Sequence, residues 1–219
     1  MWFMKHIDLA FVHTSPVHIQ TFERLHKRLA SRLDVAHFVY ESWLSEAACE
    51  VTASLMSDMK HQFSVISQQA DLTVCTCSTL GGIAEEFSLP ENPIQRIDRA
   101  MAEQAVCYDR VGVLACLEAT LEPTSQLLLH CAQQRNRHPE IQGHLVQNAW
   151  QLFQNGDHVQ YGQAISDAIY QISSQVDVIV LAQASMATVL PFTRMTIPIL
   201  ASPETGFVHA LKTLDLLLK

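Results

Sequence analysis

Short, continuous apolar runs alternate along this chain with longer stretches in which apolar residues recur at three- and four-residue spacing. The first pattern marks strands buried on both faces, and the second marks helices with one buried face. Residues 7–12 open the series as a strand, and His13-Thr14-Ser15-Pro16 follows as a loop with proline set to start a helix. That helix is expected to bury Phe22, Leu25, Leu29 and Leu33. A second strand is read over 35–40, helical patterning over 46–70 and a third strand over 72–76. Residues 82–87 read as a short helix broken by Pro90-Glu91-Asn92-Pro93, and Asp98 caps a helix over 99–108.

The pattern then begins again. Strands are predicted over 110–116, 141–146, 176–181 and 197–200. Between them come a long helix opened by Thr120 and Pro123, a helix over 161–174 after the Asn155-Gly156-Asp157 turn, and a short helical segment over 186–190. A last helix covers 203–218. Strands alternating with helices over short loops imply an α/β protein with parallel sheets. The repetition suggests two comparable halves, 1–103 with 201–219 returning to it, and 104–200, with the active-site cleft between them.

Bulk composition narrows the partners. With 48% hydrophobic and 16% charged residues over 219 positions, the chain can bury a substantial core. A formal net charge of −8 argues against nucleic acid or an anionic membrane as partner, yet leaves room for a small anionic ligand. No apolar run approaches the ~20 residues of a membrane helix. The opening Met1-Trp2-Phe3-Met4-Lys5-His6-Ile7 lacks the plan of a signal peptide and reads as the lead-in to the first strand. A cytoplasmic location with reduced thiols is therefore expected. Cys49, Cys107, Cys116 and Cys131 sit among apolar neighbours, where cysteine acts as a small hydrophobe.

The densest candidate chemistry lies in Leu72-Thr73-Val74-Cys75-Thr76-Cys77-Ser78-Thr79-Leu80-Gly81-Gly82. Cys77 falls at the carboxyl end of a strand, where ligands of open α/β sheets gather, and just before a helix start. Ser78 and Thr79 add hydroxyl and N–H donors suited to a carboxylate, while Cys75 reads as core. His13, at the end of the first strand, is an auxiliary candidate for activating the thiol or shuttling a proton. Thr14, Thr120 and Ser185 stand near strand-end loops as carboxylate binders, with helix capping as their plainer role. Glu85 and Glu86 read as a solvated helix face. His130, His138, His144 and His158 read as surface residues, with no metal-ligand spacing among them. A redox Cys75-x-Cys77 pair ranks last, because a bridge between positions i and i+2 of a strand is strained.

These segments together resemble the aspartate/glutamate/hydantoin racemase superfamily, the cofactor-independent racemases. The resemblance rests on His13-Thr14-Ser15-Pro16, Cys77-Ser78-Thr79-Leu80-Gly81 and Arg96-Ile97-Asp98-Arg99-Ala100-Met101-Ala102-Glu103. It continues through Val111-Gly112-Val113-Leu114-Ala115 with Thr120, then Val178-Ile179-Val180-Leu181-Ala182 and Ile199-Leu200-Ala201-Ser202-Pro203. It implies two Rossmann-like domains related by a pseudo-twofold axis, a homodimer, and chemistry without pyridoxal phosphate, metal or other cofactor. Family racemases carry one cysteine in each domain, and Cys77 matches the first. The second motif usually reads Leu-Gly-Cys-Thr, whereas this chain has Leu181-Ala182-Gln183-Ala184 and no cysteine after Cys131. Gln183 takes the second position in an ungapped match, and Ala184 takes it after a one-residue shift.

Glutamine hydrogen-bonds but does not exchange protons at neutral pH. The reading is therefore a racemase- or isomerase-like enzyme acting at the carbon next to the carboxylate of a small acid or amino acid. Cys77 is its single thiol, and Thr14, Ser78, Thr79, Thr120, Gln183 and Ser185 bind substrate. Decarboxylation is disfavoured, since the resemblance places a decarboxylase's lone cysteine in the second half. The alternative is a catalytically silent protein of the same fold that binds or senses a small carboxylate.

Overall fold

The structure, a computed structural model, describes residues 6–217. The lead-in expected over the first five residues and the Leu218 end of the last helix lie outside the described residues. Packing divides the chain into two units, one running to Ile97 and taking in the chain from Pro203 onward, the other spanning Asp98–Ser202.

The first unit holds β1 (Ile7–His13), α1 (Ile19–Leu29), β2 (Val35–Val39), α2 (Glu41–Cys49), α3 (Ala53–Ser67), β3 (Ala70–Cys75), α4 (Gly81–Glu86) and β4 (Ile94–Arg96). Its sheet has the order β2-β1-β3-β4 with every pairing parallel. The middles of the central strands are largely apolar because both faces are covered. One face buries Ala10, Val12 and Cys75 against Trp43, Leu55, Met59 and Phe63. The other buries Leu9, Phe11, Leu72 and Val74 against Phe22 and Leu25. Phe207, Ala210 and Leu214 of α9 (Ser202–Leu217) complete that second face.

The second unit repeats the plan. It runs through α5 (Arg99–Ala105), β5 (Arg110–Ala115), α6 (Glu118–Gln134), β6 (Glu140–Leu145), α7 (Ala149–Gln154), α8 (His158–Ile172), β7 (Val178–Leu181) and β8 (Ile199–Ala201). The sheet order β6-β5-β7-β8 is again all parallel. Helix α5 packs on α6, β7 and β8 and so belongs with this unit. A 3-10 segment, Ala184–Phe192, follows β7. No described helix is long and apolar enough to cross a membrane.

Several local expectations are revised. The stretch 46–70 is not one helix: Glu50-Val51-Thr52 separates α2 from α3, and the Thr52 hydroxyl caps α3 by accepting from the Leu55 N–H at 3.2 Å. Strand β4 and helix α7 have no counterpart in the sequence pattern, being three and six residues long. Leu29 is exposed, since Phe22 and Leu25 already fill the buried stripe of α1. Pro123 lies inside α6 and does not open it. Cys49 and Cys107 are exposed, and His144 is a half-buried residue of β6.

The order of the strands places the site. The chain steps outward from β1 to β2, returns to β3 on the other side of β1, and steps outward again to β4. That reversal leaves a switch point between β1 and β3 at the carboxyl rim, where open α/β sheets bind ligands. Helix α9 makes one especially tight contact with this unit. A Cβ at Gly206 would collide with the carbonyl oxygen and side chain of Ile97. Gly206→Ala is expected to cost about 3 kcal/mol, roughly 6–12 °C in Tm by thermal unfolding.

Candidate functional site

The rim of the first sheet is assembled by bonds that continue past the strand ends. The Thr76 N–H donates to Val12 O at 2.9 Å, the Ile97 N–H to Cys75 O at 2.9 Å, and the Tyr40 N–H to His13 O at 2.9 Å. His13 and Thr14 leave β1 directly beside Thr76, Cys77 and Ser78 leaving β3. Thr14, Cys77 and Ser78 are buried, with 8%, 8% and 6% of their surface exposed, and Thr79 is half-buried. Cys77 packs among Leu80, Ala84 and Ile94 on the same face as Cys75, whose thiol donates to Cys77 O at 3.8 Å.

Arg96 holds the turn in place. Its side chain crosses the start of α4 so closely that a Cβ at Gly81 would lie 2.9 Å from the Arg96 Cβ and 3.1 Å from its Nε. The guanidinium donates to Ser78 O at 3.1 Å, and the Arg96 N–H donates to the Glu85 carboxylate at 3.3 Å. Glu85 is therefore part of the clamp and not a solvated face. Arg96 is only 5% exposed, so its guanidinium is a buried charge beside the Cys-Ser-Thr turn, with the Glu85 carboxylate in the same clamp. Sequence reasoning assigns this role to neither Arg96 nor Glu85. The glycine pair is the available signal, because a bare backbone at α4 is what lets the arginine lie across it.

The second unit builds the same rim from other residues. The Ala182 N–H donates to Leu114 O at 2.9 Å and the Val146 N–H to Ala115 O at 2.8 Å, matching the Thr76–Val12 and Tyr40–His13 bonds. One residue onward, Gln183 stands in this unit where Cys77 stands in the first, and Cys116 stands where Thr14 does. The Gln183 carbonyl oxygen accepts from the Cys116 N–H, tying the side chain back to the strand end. Ser185 Oγ is 2.8 Å from the Tyr161 hydroxyl, which also accepts from the Cys116 thiol at 3.8 Å. Burial pushes the Cys116 thiol up to about 11, so it stays protonated at neutral pH. Thr120 is buried in the first turn of α6.

Among the described residues, one trio of potential metal ligands converges, His6, Asp8 and Asp71. It sits at the amino-terminal end of β1 and β3, the edge opposite this rim.

His13 itself is fully buried with both ring nitrogens engaged, Nδ1 with Thr76 Oγ1 at 2.7 Å and Nε2 with His37 Nδ1 at 2.8 Å. Burial, reinforced by His37 and His18, lowers it from 6.5 to about 3. The unfolded chain therefore binds an extra proton between those values, and stability falls as the pH drops. The His13 contribution is fully present above about pH 6.5 and is lost at roughly 1.4 kcal/mol per pH unit below it. Urea unfolding should show wild type losing about 2 kcal/mol more than His13→Asn between pH 6.5 and pH 5; parallel losses would contradict this assignment.

No family profile matches the chain, and no curated protein sequence does. Solved structures do match over nearly its whole length. The aspartate racemase of Picrophilus torridus superposes with a TM-score of 0.72 at 16% identity, covering 96% of this chain and 95% of that one. Glutamate racemase from Francisella tularensis, solved in complex with D-glutamate, gives 0.70 at 13% identity, with 99% and 84% covered. Allantoin racemase from Klebsiella pneumoniae gives 0.66 at 15% identity, with 96% and 88% covered. The chain has the fold of the aspartate, glutamate and allantoin racemases.

Proposed function

We propose that this protein is a racemase- or isomerase-like enzyme of the aspartate/glutamate/hydantoin racemase superfamily. In this reading it acts at the carbon next to the carboxylate of a small acid or amino acid, with Cys77 as its thiol and no cofactor. The observation that carries it is the position of Cys77, at the switch point of a parallel sheet beside a turn clamped by a buried arginine. The likeness in fold to racemases supports it. Thr14, Ser78 and Thr79 are the donors assigned to the substrate carboxylate. The Cys77 thiolate removes the proton from the α-carbon and the resulting thiol returns one.

Gln183 restricts the outcome of that proton transfer. A residue that neither gives nor takes a proton occupies the place that corresponds to Cys77, so the proton leaves and returns on one side. This reading predicts exchange of the α-proton without inversion. It takes the protein to be a cytoplasmic homodimer.

Proton NMR in heavy water tests it, with both enantiomers of aspartate and glutamate, simple hydantoins, hydroxy acids and substituted malonates as the panel. Loss of an α-proton signal is expected for one class, reduced by about 10²–10⁴ in Cys77→Ser. Gln183→Cys should add inversion to exchange. Saturable binding that survives Cys77→Ala, with no exchange in any compound, would instead identify a carboxylate-binding protein.

A further inference from the structure

On the opposite face of the same rim, four polar side chains stand in series. Thr76 Oγ1 is 2.7 Å from His13 Nδ1, His13 Nε2 is 2.8 Å from His37 Nδ1, and His37 Nε2 is 3.2 Å from Glu23 Oε1. The two imidazole planes are 18° apart with centroids separated by 5.1 Å. An N···N hydrogen bond plus one ring radius at each end accounts for that separation, so the rings meet edge to edge. Thr76 and His13 are buried and the His37 side chain is 9% exposed, whereas Glu23, on α1, is 40% exposed. Phe11 and Phe22 wall the imidazoles. The outermost contact is close but poorly aligned for a hydrogen bond, which makes it the loose joint of the series.

We infer that Thr76, His13, His37 and Glu23 form a proton path between the carboxyl rim of the first sheet and solvent. Each member can both give and take a proton. With Glu23 ionised, Thr76 donates to His13 Nδ1, His13 Nε2–H to His37 Nδ1, and His37 Nε2–H points toward Glu23. A proton arriving on Thr76 Oγ1 displaces the threonine's own proton to His13 Nδ1. The His13 Nε2 proton then moves to His37 Nδ1, and the His37 Nε2 proton moves to Glu23, which releases it to water. The Thr76 hydroxyl turns to Val12 O, 3.2 Å away. Every member ends with as many protons as it began with, and both imidazoles have changed tautomer.

A simple brace between strands would need one donor and one acceptor. Two desolvated imidazoles in series cost more and add nothing to a brace. The neighbouring titratable groups lie beside the series. His18 has its ring centroid 6.4 Å from that of His13, and His26, which faces His37 from α1, bonds to Leu33 O. The inference rests on the reading of Cys77; Thr76 and Cys77 are consecutive at the rim but face opposite sides of the sheet, so a ligand or water at the rim carries the proton between them.

Ring nitrogens of 15N-histidine-labelled full-length protein report the path directly. Near neutral pH, His13 should carry its proton on Nε2. Acidification adds a proton at the outer end, His37 then donates from Nδ1, and His13 must switch to Nδ1–H, so its two 15N resonances exchange places. Glu23→Gln keeps an oxygen at the outer end but takes up no proton. The switch should move down by about one pH unit or more, with Tm within about 2 °C of wild type. In the heavy-water assay the same variant should slow α-proton exchange at least about tenfold. A single His13 tautomer throughout, or switching at the same pH in both proteins, overturns the path, as does unchanged exchange in Glu23→Gln. Absence of exchange in wild type would sink the reading of Cys77 instead, and the tautomer measurement would still decide the path.

Discussion

The parallel pairing of β1 with β3 is the contact on which everything at the rim depends. Neither strand is adjacent to the other in sequence, and their pairing is made only after the chain has left β1, built β2 and returned. Because the strands run the same way, their carboxyl ends are forced to one edge, where the loops can no longer cover each other. His13 and Thr14 are thereby placed against Thr76 and Cys77, from residues more than sixty positions apart. Burial of both faces then fixes register, since a slip of one residue would turn Val74 and Leu72 away from Phe22 and toward Trp43 and Phe63. The site inherits its geometry from that core.

The second unit shows what the same backbone does with different side chains. Its rim reproduces the hydrogen bonds past the strand ends, yet Ala115, Cys116 and Gln183 replace His13, Thr14 and Cys77. Where the first unit presents a thiol and a charged clamp, the second turns its amide inward onto the Cys116 N–H and closes its hydroxyls on each other. The two rims are alike in topology and unlike in chemistry. Likeness of topology alone therefore places a strand-end rim in each unit but does not assign the same chemistry to both.

Legibility in the sequence followed how much of each element is decided locally. The central strands β1, β3, β5 and β7 stood out because a strand covered on both faces must be a continuous apolar run. Strand β4 did not, since Ile94-Gln95-Arg96 is too short for a period and owes its pairing to β3. The break between α2 and α3 was hidden because a single threonine cap interrupts an otherwise helical pattern. The placement of Cys77 between a strand and a glycine pair was legible because both neighbours are locally decided. Arg96 and His37 could not, because each acts on residues far away in the chain: Ser78 in one case, His13 and Glu23 in the other.

Those two residues also share a physical logic that single-position reading cannot reach. Each is a polar group held below the surface, and burial of such a group is unfavourable unless a partner meets it. Arg96 is met by the Ser78 carbonyl across two glycines, which is why Gly81 cannot carry a side chain without displacing it. His37 is met by His13 on one side and approached by Glu23 on the other, which ties the tautomer of one ring to that of the next. The two clusters occupy opposite faces of one sheet and meet the same rim, the first fixing the position of the thiol's turn and the second linking the rim to water. A rim that merely closed the sheet would be served by apolar residues at all of these positions, so the buried polar groups set this edge apart from the core beneath it.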